Sequence, residues 1–130
     1  MSNGIFIICT SGTREKLQMA AMIAAVGAAS GSAVSVFFSM NALQYFVKGG
    51  VKDAPVEGAF GSLMAKNDGV PRFKDLFHQA AELGDAALLP CSMAMDLMEV
   101  SESDLDAEFG APTGLTRFLS DAEGGQLYTF

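Results

Sequence analysis

Leu88-Leu89-Pro90-Cys91-Ser92-Met93-Ala94-Met95-Asp96-Leu97-Met98 joins an apolar run, a thiol and a methionine-rich segment of helical composition. A run closed by Pro90 and followed by good helix formers is the strand-to-helix junction of an α/β protein. Cys91 then falls in the turn before the helix, where the first backbone N–H groups lack partners and the helix dipole is positive. Helix N-termini lower a cysteine pKa from about 8.5 to roughly 3.5–7.5, and the thiolate is the nucleophile. Cys91 is therefore the candidate reactive sulfur. The same residues fit an inert small hydrophobe at a strand end equally well, since free cysteine is among the most buried residue types.

Working outward, Gly4-Ile5-Phe6-Ile7-Ile8-Cys9-Thr10 is a continuous β-branched and aromatic run, the pattern of a strand buried on both faces. Ser11-Gly12-Thr13 supplies turn and cap chemistry, and 14–29 is rich in Ala, Leu, Gln and Met, predicting a helix stopped by Gly31-Ser32. A second strand is expected over 33–40, followed by a short helix over 41–48 closed by Gly49-Gly50. Residues 51–69, broken by Pro55, Gly58, Gly61 and Gly69, form a loop in which Phe60, Leu63 and Met64 suggest a packed helical turn. Pro71 opens a helix whose Phe73, Leu76, Phe77, Ala80 and Ala81 make one apolar stripe, and Gly84 ends it. Strand 86–89 then delivers Cys91, and 113–122 and 126–130 read as a last helix and strand, with a short further strand possible near 105–109.

Strands alternating with helices predict a single α/β domain: a mainly parallel four- to five-stranded sheet with helices on both faces, a flavodoxin-like three-layer sandwich. Right-handed crossovers place all strand C-termini on one edge, where such sheets bind ligands. Cys9 and Cys91 would open onto the same rim. Cys9 ends an Ile-Phe-Ile-Ile run, so it is expected in apolar surroundings with a raised pKa. No stable disulfide with Cys91 is expected, even if their strands are neighbours.

The chain has 130 residues, half of them apolar and 18% charged, which suits a packed core and argues against disorder. A net charge of -7 works against nucleic-acid binding, which depends on neutralising phosphates. The two cysteines, with no basic run at Met1-Ser2-Asn3-Gly4, suggest a reducing cytoplasm. Cys9, His78 and Cys91 lack the paired spacing of a zinc set, so neither metal nor cofactor is expected. From Leu17 to Val47 the chain carries no charge. A spanning helix needs about 20 apolar residues, and Ser30-Gly31-Ser32 interrupts this one, so no membrane span is expected. Burial against other subunits is the preferred reason for its apolarity.

Three further constellations have bland readings. Thr10-Ser11-Gly12-Thr13-Arg14 suits an anion site at a strand-to-helix turn but lacks a glycine-rich fingerprint, which favours an ordinary cap. His78, four residues from Lys74 and Glu82, falls on the polar side of its helix. Glu99, Glu102, Asp104, Asp106 and Glu108 lack the register of an EF-hand and read as a solvated acidic loop.

Cys91-Ser92-Met93-Ala94-Met95-Asp96-Leu97-Met98 resembles the cysteine motif of the DsrE/DsrF-like sulfur-relay family. Val36-Phe37-Phe38-Ser39-Met40-Asn41-Ala42-Leu43, and the helix from Val70-Pro71 to Glu82-Leu83-Gly84, match the same family in order. The resemblance implies a DsrE-like fold and a cytoplasmic carrier of sulfane sulfur or thiosulfonate, with Cys91 as the acceptor thiol. Cys9, which the topology and not the resemblance puts on the rim, joins Asn41 and Met93 as the candidate substrate-contacting residues, although the family usually has a bulky aromatic where Asn41 stands. It further implies TusA-like carriers and rhodanese-like donors as partners, and a homo-oligomer, trimer-based or otherwise closed. The rival readings are a small-molecule binding module and a non-catalytic oligomeric subunit of the same fold.

Overall fold

A computed structural model describes residues 4–130; Met1, Ser2 and Asn3, read above for a leader, lie outside the described residues. The strands are β1 (Ile5–Cys9), β2 (Val34–Phe38), β3 (Ala87–Pro90) and β4 (Gln126–Thr129). The helices are α1 (Arg14–Ala29), α2 (Ala59–Lys66), α3 (Phe73–Gly84), α4 (Ser92–Met98) and α5 (Leu115–Asp121). The sheet order is β3-β2-β1-β4, and every pairing is parallel. The chain steps one way from β1 to β3 and then crosses to the far side for β4. Crossovers of one hand therefore put α1 and α3 on one face and α5 on the other.

Strand alternation fixes what each face buries. Ile7 and Cys9 of β1, and Val34, Val36 and Phe38 of β2, are buried beneath α1 and α3. Phe38 meets Phe77 of α3 edge to face at 4.9 Å and Phe46 at 4.7 Å; Phe46 also stacks on Phe109 at 5.2 Å. Each such ring contributes roughly 1.5–3 kcal/mol by leaving water, before any gain from ring geometry. Gly84 lets α3 close onto α1, since a Cβ there would lie 2.4 Å from the Ala28 Cβ. On the opposite face Phe118, the one buried residue of α5, packs at 5.7 Å on Phe6 and 5.2 Å on Phe37.

Several expectations change in detail. The helix expected over 41–48 is a 3-10 helix over Met40–Phe46. The possible fifth strand near 105–109 survives only as isolated bridges, an antiparallel one of Leu105 with Val47 and a parallel one of Phe109 with Leu88. A further bridge joins Cys91 to Thr113, and Pro112 and the glycine at 110 interrupt a continuous ladder. α2 forms where a helical turn was expected, but Phe60 and Leu63 are 68% and 62% exposed instead of packed. β1 and β3 are not neighbours: β2 lies between them. No helix among the described residues is long and apolar enough to cross a membrane, because α1 ends at Ala29 and the charge-free sequence continues as β2.

Candidate functional site

The carboxyl ends of β1, β2 and β3 make one rim. Cys9 is paired in register with Phe38, and Phe38 with Pro90, so Cys91 emerges one residue beyond the end of that row. The Ser39 N–H donates to the Cys9 carbonyl at 3.0 Å, and the Cys91 N–H donates to the Phe38 carbonyl at 2.9 Å. The two sulfur-bearing residues thus share the rim but stand on either side of β2. Two interstrand spacings amount to about 9.6 Å, beyond the roughly 4.4–6.8 Å that a disulfide spans between Cα atoms. Cys9 is fully buried, and burial pushes its thiol up to about 12.

Cys91 is the residue before α4, in extended conformation, and its carbonyl accepts the Met95 N–H at 3.0 Å. On its outer side the segment around Thr113 closes the junction: the Thr113 N–H donates to the Pro90 carbonyl and the Ser92 N–H to the Thr113 carbonyl, both at 3.0 Å. The backbone of Cys91 is therefore held on both sides, and the residue is only 5% exposed. α4 turns Ala94 and Met95 into the core and Met98 partly so. It leaves Met93 and Leu97 outward, 47% and 77% exposed. Their spacing of four residues puts both on one face of α4. That spacing is legible in the sequence, yet Leu97 passes unnoticed there because a leucine at helical period reads as core.

Asn41 is exposed at the carboxyl end of β2, against the β1–α1 turn: a Cβ at Gly12 would lie 2.9 Å from the Asn41 Cβ. Met40 beside it has φ +52°, in the left-handed region that unbranched side chains seldom take, and is 58% exposed. No sequence signal marks that conformation. The structure thus gathers Cys9, Asn41 and Cys91 on one rim, with Met93 on the helix leaving it.

The Thr10–Arg14 turn is occupied by the chain itself. Thr10 N, Ser11 N and Thr10 Oγ1 all donate to the Phe130 carbonyl, and the Arg14 N–H donates to the Pro55 carbonyl. This lies between β1 and β4, where the strand order reverses and doubly wound sheets commonly bind ligands. Three of the five carboxylates in the acidic run are likewise committed. Asp104 caps the 3-10 turn at Ser101, Asp106 pairs with Lys74 at 3.0 Å, and Glu108 faces His78 at 3.4 Å. His78 is exposed and held by Glu82 as well. Its pKa is raised, chiefly by the Glu108 hydrogen bond and then by the charge of Glu82.

A parallel sheet ending in a thiol before a methionine-bearing helix defines an α/β protein with a cysteine rim. The chain belongs to the DsrE/DsrF/DrsH-like family, which residues 47–130 match. That span includes Cys91 and Met93; Cys9 and Asn41 precede it. The solved structure of the ychN protein from E. coli is similar over 100% of both chains, with a TM-score of 0.70 at 15% identity. A protein of unknown function from Methanobacterium thermoautotrophicum, MTH1491, is similar over 100% of both chains, with a TM-score of 0.63 at 10% identity. At these identities the likeness is one of fold. No curated protein sequence matches the chain.

Proposed function

We propose that this protein is a sulfur-relay carrier in which Cys91 alone holds the travelling sulfur. The observation that carries the proposal is the position of Cys91, inside the family-matching span and at the rim, while the other thiol is fully buried and hard to ionise. In the transfer step the Cys91 thiolate attacks the outer sulfur of a donor persulfide. A new S–S bond forms on Cys91 as the donor's S–S bond breaks, and the donor leaves as a thiolate. The reverse attack by an acceptor thiolate discharges it. A thiosulfonate is carried by the same displacement.

The outward pair Met93 and Leu97, on the helix that follows Cys91, offers partner proteins an adaptable apolar contact. The family resemblance implies TusA-like carriers and rhodanese-like donors as the partners, within a reducing cytoplasm. Asn41 and Met93 would contact the incoming sulfur group, whereas Cys9 serves packing. Self-association follows from the apolar surface of α1, where Met19, Met22 and Val26 are 47%, 44% and 66% exposed. A monodisperse monomer in light scattering without detergent would count against that.

The 5% exposure of Cys91 favours a second reading, a non-catalytic subunit of the same fold that only binds partners. Intact-mass measurement after treatment with tetrathionate or a persulfide donor separates the two. The carrier gains mass in the wild type and in Cys9→Ser but not in Cys91→Ser. A wild-type protein that stays unmodified while folded leaves the interaction subunit.

A further inference from the structure

A cleft of about 260 Å³ opens between the first turns of α1, the end of α2 and the segment entering α3. Two guanidiniums line it, Arg14 and Arg72, together with the carboxylates of Asp53 and Asp68. The Arg14 side chain is 19% exposed, and its Nε is buried without a hydrogen-bond partner. Gln18 stiffens the wall by donating from Nε2 to the Pro71 carbonyl at 3.0 Å. Asp53 reaches in from the surface, 62% exposed; its Oδ1 pairs with Arg72 and lies 3.8 Å from an Arg14 terminal nitrogen.

One carboxylate oxygen therefore serves two guanidiniums, each with five N–H donors in a planar fork that matches carboxylate and phosphate geometry. Most of that donor capacity is unused by the protein, and one donor is stranded out of water. In a chain of net charge -7, two arginines converging on one cavity are an exception that packing does not require. The exposed pairing with Asp53 is worth little, about 0–1 kcal/mol for pairs of its kind, so it is easily exchanged. The volume lies below the roughly 300–1,000 Å³ of drug-sized pockets, which limits the ligand to a small molecule.

We propose that this cleft binds the oxoanion group, carboxylate or phosphate, of a small ligand between Arg14 and Arg72, with Asp53 as the built-in occupant that the ligand displaces. The cleft shares no lining residue with the Cys91 junction, so the proposal stands apart from the sulfur-relay reading.

The test follows the arginine Nε–Hε resonances during titration with inorganic phosphate and, separately, with succinate, at ionic strength held constant with chloride. Saturable shifts of the Arg14 and Arg72 signals are expected with at least one probe, and which probe saturates assigns the oxoanion. Asp53→Asn removes the internal competitor and should tighten binding about tenfold; Arg72→Gln should weaken it about tenfold. Both side chains are more than half exposed, so both variants keep the fold. No saturable shift with either probe in the wild type and in Asp53→Asn would overturn the proposal. So would an Asp53→Asn protein that binds no tighter, or an Arg72→Gln protein that binds equally well.

Discussion

Replacing Cys9 with Ser tests the single-thiol carrier most directly, because it separates the two cysteines by mechanism and by energy. Cys9 is fully buried: it ends β1 beneath α1, with Phe38 beside it in register. Serine keeps the shape but buries a hydroxyl, which costs about 1–3 kcal/mol where its hydrogen bond to water is not replaced. Its chemistry should not be missed. Desolvation pushes the Cys9 thiol up to about 12, so at neutral pH it stays protonated and lacks the thiolate needed for attack. The strand between Cys9 and Cys91 also keeps the sulfurs from exchanging directly. Urea denaturation followed by circular dichroism should therefore show the lower stability, with the slope unchanged. Intact mass after exposure to a persulfide donor should show full loading at Cys91. A Cys9→Ser protein that is folded yet loads no sulfur would refute the reasoning and require a relay through both thiols. Brief alkylation of the wild type should likewise label Cys91 before Cys9, as read by peptide mapping.

Phe118→Ala should destabilise the fold by about 3–5 kcal/mol in urea, since it removes the one buried side chain of α5 from Phe6 and Phe37; a loss below about 1 kcal/mol would mean that α5 does not anchor that face. His78 has a raised folded pKa, so its pairing with Glu108 and Glu82 contributes fully below the ordinary value of 6.5 and is lost as pH rises through the folded pKa. NMR titration should place the His78 midpoint above 6.5, and Glu108→Gln should lower it; an unchanged midpoint would remove Glu108 as the cause. The Glu15 carboxylate is held below its ordinary range, first by the Glu57 N–H at 2.8 Å and then by those of Gly58 and Gly61. Glu15→Gln should speed hydrogen exchange at those three amides, and the wild type should show the same loosening as pH falls through the lowered carboxylate pKa.

Local sequence was informative wherever one element could satisfy itself. The Ala- and Met-rich run over 14–29 forms α1 at those bounds, because helix hydrogen bonds close within the segment. The Phe73, Leu76, Phe77 and Ala80 stripe does face the core, because its period of 3.6 matches one buried side. Phe60 and Leu63 misled for the converse reason: apolar residues at helical spacing say that a face exists, not that anything in this chain covers it. The possible strand near 105–109 does not form a ladder, and the hydrogen bonds of the glycine at 110 and of Thr113 to Leu88 and Pro90 are long-range pairings that no short window encodes.

For the candidate site the division is similar. Sequence by itself determined the α/β class, the junction at Pro90-Cys91 and the family pattern around the thiol, because each rests on neighbours within about ten residues. Only the tertiary structure decided that β2 stands between the two cysteines, that Cys91 is 5% exposed, and that Phe130 fills the β1–α1 turn. It also decided that Arg14, Asp53 and Arg72 converge on one cleft. Strand order and side-chain convergence depend on which distant segments share the sheet and its layers, and that choice is made by burying the whole apolar surface at once.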